Sequence, residues 1–115
     1  MGVAVFLLSD VDTGNSEHTK VEHYSRGITH NLGRMAEEAG IYKAIWRPEE
    51  IGIERAEQLI PLLQAGYTKL AADPGYYKQF DAPNKWGVYD DFLPFVKSYL
   101  DACKKFPKTR VFAER

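Results

Sequence analysis

Three segments of the chain carry the apolar and alternating patterns that are typical of β-strands. Residues 3–9 are apolar as far as Leu8 and include β-branched side chains, which predicts a buried strand over residues 3–9. Residues 19–25 alternate polar and apolar side chains, which predicts a second strand in a hairpin with the first, ending where residues 26–29 break the pattern. Residues 109–113 predict a third strand. We expect one antiparallel sheet, with the C-terminal strand beside the first.

Between the second and third predicted strands, apolar residues recur at helical spacing. The pattern predicts helices at residues 30–39, 54–72 and 90–105, with a short further turn at residues 41–46. Pro61 lies inside the second helix and removes one hydrogen bond there, so we expect a kink or a break. The predicted order is β-β-α-α-α-β. We therefore expect an α+β fold in which the helices pack on one face of a small three-stranded antiparallel sheet.

Length and composition agree with a single α+β domain that spans residues 1–115. The chain is 44% hydrophobic and 27% charged, which excludes a disordered chain. It has one cysteine, Cys103, which excludes an internal disulfide bond and any metal site built from several cysteines. The longest apolar run, residues 3–8, is too short for a signal peptide or a membrane span. We therefore expect a cytoplasmic protein that does not enter a membrane.

The charge balance disfavours nucleic acid as a partner. The formal net charge is −1, whereas binding to a phosphate backbone needs a large positive excess. The charge is uneven along the chain, because residues 1–57 carry ten acidic and six basic residues (net −4) and residues 58–115 carry six and nine (net +3). This asymmetry permits a head-to-tail contact in a homo-oligomer or a local site for an anion. The alternative is an uneven but solvated surface.

The sequence offers no set of residues that we assign as catalytic or metal-binding. Asp12-Thr13-Gly14 matches the catalytic triplet of aspartic proteases, but those proteases are all-β and most of this chain is predicted to be helical. His18, His23 and His30 are spaced by five and seven residues, which is neither the i, i+4 of a helical pair nor the i, i+2 of one strand face. Cys103 lies on the apolar face of a predicted helix, where cysteine usually packs as a small hydrophobic residue.

Residues 24–31 lead from the end of the second predicted strand into the first predicted helix. A helix N-terminus offers free N–H donors and a positive potential, which suit an anion. Arg26 or Arg47 could add a guanidinium fork for a phosphate or carboxylate group. The alternative interpretation is ordinary helix capping by Thr29. The candidate binding residues in this group are Tyr24, Ser25, Thr29, His30, Asn31 and Arg47.

Two tryptophans complete the candidate site. Trp86 stands next to Gly87 in a polar loop, where an exposed indole is unfavourable, so we expect it to be mostly buried beside the start of the first predicted helix. Trp46 precedes Arg47 in a comparable position. With Asn84, these tryptophans would form the walls of a site for a ligand that has a flat ring and a phosphate group. The alternative is that both tryptophans only fill the core.

Two groups of motifs resemble a family of small proteins of bacteria and their phages. The first group is Ile28-Thr29-His30-Asn31-Leu32-Gly33-x-Met35-Ala36 with Ala39-Gly40-Ile41-Tyr42 and Trp46-Arg47-Pro48-Glu49-Glu50, and the second is Pro83-Asn84-Lys85-Trp86-Gly87-x-Tyr89 with the predicted helix after it. The similarity covers about residues 20–115. The chain departs from the family pattern at Lys85, where that pattern has glycine, and at Gly27, where it has asparagine. The resemblance implies a bacterial or phage protein of the cytoplasm, and it implies no mechanism.

The sequence is compatible with three functions from different classes. The first is a non-catalytic binding protein for a small anionic, nucleotide-like ligand. By analogy, such a protein could sequester a host immune signalling molecule. The second is an inhibitor or accessory factor that acts through protein–protein contacts, using the aromatic patch Tyr76-Tyr77-Phe80. The third is a small enzyme with His23 or His30 as a general base. We expect the first function, without a cofactor or a metal ion.

Overall fold

Three strands form one antiparallel sheet in the computed structural model, which describes the backbone of residues 2–12 and 18–115 and the side chains of residues 2–9 and 21–115. The strands, in the order β2-β1-β3, are β1 (Gly2–Asp12), β2 (His18–Thr29) and β3 (Arg110–Glu114). The predicted α+β fold is confirmed, and so is the position of the C-terminal strand beside the first.

β2 continues further than the sequence pattern predicts. The sequence predicts a break at residues 26–29, but all four residues pair with β1, from Arg26 opposite Val5 to Thr29 opposite Gly2. The expected break is therefore wrong. The reason is that β1 offers hydrogen-bonding groups along its whole length, and pairing with them outweighs the weak strand propensity of glycine at this place.

β1 is the central strand, and it is apolar on both of its faces. Side chains of a strand point alternately to the two faces of the sheet. On β1 the inward-pointing residues Val3, Val5 and Leu7 are buried, and the outward-pointing residues Ala4, Phe6 and Leu8 are half-buried. The helices pack on the inward face, as predicted.

Helices and turns account for most of the remaining described chain. The helices are α1 (Gly33–Glu38), α2 (Tyr42–Trp46), α3 (Ala56–Ala72), α4 (Pro74–Lys78) and α5 (Tyr89–Lys105), with 3₁₀ turns at His30–Leu32 and Pro48–Ile51. The helix predicted at residues 30–39 is a 3₁₀ turn followed by the six-residue α1. The predicted second helix begins two residues later than expected and continues through Pro61 without a break.

α4 is a short helix that the sequence pattern does not predict. Asp73 caps it, since the Tyr76 N–H donates to Asp73 Oδ1 (3.3 Å). Pro74 occupies its first position, where the missing N–H of proline has little cost. These local interactions define a five-residue helix that is too short to show a periodic pattern.

The core lies between the sheet and the two long helices, α3 and α5. Its helical part includes the buried residues Leu59, Leu63 and Leu70 of α3 and Phe92, Phe95 and Tyr99 of α5. Hydrogen bonds connect the β3 region to the start of α3. The Val111 N–H donates to Glu54 O (3.0 Å), and the Ala56 N–H donates to Thr109 O (2.9 Å). Among the described residues, no helix has both the length and the apolar character needed to cross a lipid bilayer.

Candidate functional site

The loop at residues 81–88, called the Trp86 loop below, lies between α4 and α5 and is held by its own hydrogen bonds. The Ala82 N–H donates to Gly87 O (3.0 Å), and the Lys85 N–H donates to Ala82 O (2.9 Å). Lys85 has a φ of 64°, a left-handed conformation that costs a residue with a side chain roughly 1–2 kcal/mol. The hydrogen bonds on either side of Lys85 hold the loop in this strained shape.

The Trp86 loop is also fastened to the turn that follows β2. Asn31 Nδ2 donates to Trp86 O (2.7 Å), and the Trp86 N–H donates to Asn84 Oδ1 (3.0 Å). The backbone of Gly87 comes so close to this turn that an added Cβ would lie 2.9 Å from Asn31 Cβ and 3.0 Å from Thr29 Cγ2. Thr29, Asn31, Asn84 and Trp86, four of the predicted site residues, therefore lie together.

The side chain of Trp86 does not take part in this packing. Trp86 is 72% exposed, and the next most exposed large apolar residue in the described part of the chain, Tyr76, is 43% exposed. The prediction that Trp86 is mostly buried is therefore wrong, although its glycine neighbour does allow the expected close backbone approach. The physical reason is that the main-chain carbonyl of Trp86, and not its ring, meets the turn after β2.

The predicted helix start is a weaker site for an anion than the sequence suggests. Thr29 caps the 3₁₀ turn, since the Asn31 N–H donates to Thr29 Oγ1 (3.4 Å), and His30 is exposed beside it. α1 behind this turn has only six residues, so it adds less positive potential than the ten-residue helix that the sequence predicts. Anion binding by Thr29, His30 and Asn31 stays a prediction.

Tyr24 and Ser25 lie on opposite faces of β2. Tyr24 points inward, where its ring stacks on Tyr99 at 5.7 Å between centroids and its hydroxyl forms a hydrogen bond with Ser98 Oγ (3.0 Å). Ser25 points outward, opposite Phe6 of β1. Because the sheet separates the two side chains, they cannot line the same pocket.

Trp46 and Arg47 lie in a different part of the molecule from the Trp86 loop. Trp46 is 4% exposed and stacks on Tyr42 at 5.1 Å, so its ring belongs to the core. Arg47 Nη1 donates to Glu50 Oε2 (2.9 Å), and this hydrogen bond raises the pKa of Arg47. The structure therefore agrees with the core interpretation of Trp46 and shows the Arg47 guanidinium already paired with a carboxylate.

A cleft of about 270 Å³ lies between the end of β2 and the start of α5. Its lining includes Arg26 and Thr29 on one side and Gly87 and Asp91 on the other. The Arg26 guanidinium carbon lies 5.8 Å from the centre of the Phe95 ring, which is within reach of a cation–π contact. This cleft can offer one cationic group to a ligand, beside one carboxylate.

The structure gives little support to nucleophilic or metal chemistry. Burial raises the pKa of the Cys103 thiol to about 12, so this cysteine is a poor nucleophile. His23, the extra residue of a β-bulge, forms a hydrogen bond with Ser9 Oγ (2.7 Å) and packs on Phe106. No group of three or more His, Cys, Asp or Glu residues in the described chain is arranged to hold a metal ion. Thr13, Gly14 and the side chains of Asp12 and His18 lie outside the described residues.

The face of the sheet opposite the helices, called the outer face below, is a candidate surface that the sequence pattern did not lead us to expect. It carries Ala4, Phe6 and Leu8 of β1, Glu22, Ser25 and Gly27 of β2, and Arg110, Phe112 and Glu114 of β3. A groove of about 580 Å³ runs over Phe6, Leu8 and Phe112. The available signal was the unbroken apolar run at residues 3–8, because a strand with one solvated face alternates instead.

Comparison with known proteins gives no relative: no protein-family model, no curated protein and no solved structure matches this chain. The resemblance to a bacterial and phage family therefore stays a prediction.

Proposed function

We propose that the protein is a non-catalytic binding module that attaches to a protein partner through the Trp86 loop. The observation that carries the proposal is that Trp86 is 72% exposed on a loop whose backbone is fixed by hydrogen bonds. Tryptophan is among the residues that contribute most to binding energy at protein interfaces. An indole left in water forgoes the stabilisation that its burial in the core would give, and burial against a partner recovers it.

The construction of the Trp86 loop supports this role. Lys85 keeps a left-handed conformation, and backbone strain of this kind is concentrated at binding and catalytic sites. Asn31 holds the carbonyl of Trp86 in place, so the backbone of the loop loses little freedom when a partner binds. A loop whose backbone is already ordered binds more tightly than one that has to be ordered first.

The chemistry of the loop indicates the kind of partner. The indole of Trp86 needs an apolar pocket on the other protein, with an acceptor at its edge for the indole N–H. Exposed Lys85 stands directly beside it, so an acidic group at the rim of that pocket would complement the loop. We therefore propose a protein partner with an apolar pocket and an acidic rim, and an accessory or inhibitory role follows from occupying that pocket.

The test compares Trp86→Ala with a control, Ile51→Ala, which removes another exposed large apolar side chain. Proteins retained from a bacterial extract by immobilised wild-type protein are identified by quantitative mass spectrometry, purified and titrated against all three forms. We expect Trp86→Ala to weaken the affinity at least about 30-fold and Ile51→Ala to change it less than about threefold. Binding of the partner should also reduce the quenching of Trp86 fluorescence by acrylamide. Equal affinities of wild type and Trp86→Ala, or no purified protein that binds, would refute the proposal.

The second candidate function is the binding of a small anionic, nucleotide-like ligand, which includes sequestration of a host signalling molecule in a bacterial or infected cell. The observation that favours it is the cleft of about 270 Å³ that both Thr29 and Arg26 line. Its volume is slightly below the usual range for small-molecule pockets, and the carboxylate of Asp91 opposes an anion there. Because of these two features, we rank ligand binding below attachment to a protein partner.

A thermal-shift screen against nucleotides and cyclic nucleotides tests this second candidate. A ligand at about a hundred times its Kd stabilises the folded state by about 2.7 kcal/mol, which a melting curve detects. We expect Arg26→Ala to abolish the shift and Arg47→Ala, whose guanidinium is paired with Glu50 outside the cleft, to keep it. If no nucleotide raises the melting temperature, or both variants respond as wild type does, the cleft is not the binding site.

A further inference from the structure

The outer face of the sheet has the composition of a surface that is covered by another layer. β1 lies in the middle of the sheet and is apolar on both faces, with Phe6 and Leu8 pointing outward. Strands that are apolar on both faces are typical of sheets with a layer on each side, whereas antiparallel sheets with one solvated face alternate. The helices provide one layer. In the described part of the chain, no element is packed on the other side.

The charges on the outer face are arranged in a way that a second copy of the same face would satisfy. Leu8 is flanked by Glu22 on β2 and by Arg110 on β3. Two strand spacings separate the Cα atoms of Glu22 and Arg110 by about 10 Å, and Leu8 lies between them. Among the described residues, neither Glu22 nor Arg110 has an ion-pair partner.

We propose that two copies of this protein pack outer face to outer face around a two-fold axis that runs parallel to β1 between the sheets. This rotation places β2 of each copy over β3 of the other. Glu22 of each copy then lies opposite Arg110 of the other copy. The two-fold symmetry therefore gives two ion pairs between the copies. Phe6 and Leu8 meet their own counterparts along the axis, and the strands align as in a β-sandwich.

The size of the outer face limits the affinity of the proposed dimer. All three strands are present only beside residues 4–8 of β1, because β3 pairs with β1 from Ala4 to Leu8. This part of the sheet offers fewer outward residues per copy than the roughly 20–30 of a standard interface, so the contact is of less than standard size. We therefore expect a reversible dimer that forms with rising protein concentration, and not a permanent one.

Sedimentation velocity over a concentration series up to about 0.5 mM tests the arrangement with charge reversals. Arg110→Glu places Glu22 opposite a glutamate in both halves of the dimer, and Glu22→Arg places two arginines together. Each variant alone should raise the dimer dissociation constant at least about 30-fold. Both positions are exposed, so the variants should keep the circular dichroism spectrum and melting temperature of the wild type.

Mixing the two variants gives the decisive result. In a mixed dimer, Glu22 of one chain faces Arg110 of the other, and the two substituted residues also form a pair of opposite charge. We expect an equimolar mixture to dimerise within about threefold of the wild-type constant. Trp86→Ala is the control: it should leave dimerisation unchanged, which separates this inference from the binding of a partner through the Trp86 loop.

Three outcomes would overturn the inference. The first is a wild-type protein that stays monomeric over the whole concentration series. The second is a mixture of the two charge variants that remains as monomeric as each variant alone. The third is a dimer that dissociates on Trp86→Ala and not on Arg110→Glu, because the Trp86 loop would then be the self-association surface.

Discussion

The ring and the backbone of Trp86 contribute to different properties of the molecule. The backbone carbonyl holds the loop through Asn31, whereas the ring is exposed. Trp86→Ala should therefore change the free energy of unfolding by less than about 0.5 kcal/mol. The buried Trp46 is the matched control, and Trp46→Ala should cost about 3–5 kcal/mol. Urea unfolding of both variants measures this, and a loss above about 1.5 kcal/mol in Trp86→Ala would show that its ring is packed.

Gly87 is required for the loop to reach the turn after β2. Gly87→Ala should destabilise the protein by about 1–3 kcal/mol, because φ is 110° and the new Cβ would lie 2.9 Å from Asn31 Cβ. Gly52→Ala is the control: Gly52 also has a positive φ, 73°, but nothing lies within 4 Å of an added Cβ. The melting temperature should fall further for Gly87→Ala than for Gly52→Ala, and equal decreases would contradict the proposed close contact.

At the scale of single residues, the sequence predicts backbone behaviour better than side-chain exposure. A glycine beside Trp86 indicates a close backbone approach, and that approach is present. The burial of the indole was inferred from the general preference of tryptophan, and this preference does not apply where the loop path points the ring outward. Trp46 lies in α2, whose packing against the core buries its ring.

Gly66 determines how closely α3 approaches the segment before α2. Alanine usually favours a helix over glycine by about 1 kcal/mol, but a methyl group at this position would overlap Ile41 Cγ2. We expect Gly66→Ala to be destabilising by about 1–3 kcal/mol through overpacking. Gly75 in α4 has open space around it, so Gly75→Ala should be neutral or stabilising. Urea unfolding compares the two, and a more stable Gly66→Ala protein would contradict this packing.

At the scale of elements, the length of a helix decides whether the sequence pattern predicts it. α3 and α5 have 17 residues each, and both were predicted to within two residues at their starts. α4 has five residues and depends on a proline and an aspartate cap, which leave no periodic signal. The local pattern does not predict the end of β2, because residues 26–29 are held by residues 2–5 of β1, which are far away in the sequence.

The two ends of the chain meet in the sheet. β3 pairs with β1 on one side, and on the other side Val111 donates to Glu54 O. Strand patterns at both ends of the sequence made this topology predictable. The candidate site was not predictable to the same degree, since Thr29, Asn31, Asn84 and Trp86 come together, whereas Trp46 and Arg47 lie elsewhere. Such proximity depends on loop paths, which periodicity does not encode.

The free energy of unfolding should decrease at alkaline pH because of two ionisable groups in the core. Burial raises the pKa of Cys103 to about 12 and raises the pKa of Tyr99 well above its ordinary value. In the unfolded chain these groups lose their protons near pH 8.5 and pH 10, respectively. Between those values and the folded pKa, the unfolded state holds fewer protons than the folded state. The free energy of unfolding therefore falls as pH rises, and it is unaffected by these groups below pH of about 8.

Urea midpoints measured from pH 7 to pH 11 test this expectation, with Cys103→Ala as the control. The cysteine titrates first in the unfolded chain, so the wild type should lose stability from about pH 8.5 onward. Cys103→Ala should start from a lower stability, because it leaves a small cavity, but should show a flatter profile below about pH 10. A wild-type midpoint that stays constant up to pH 11 would mean that Cys103 and Tyr99 ionise within the folded protein. A variant that declines as steeply as the wild type below pH 10 would assign the loss to other groups.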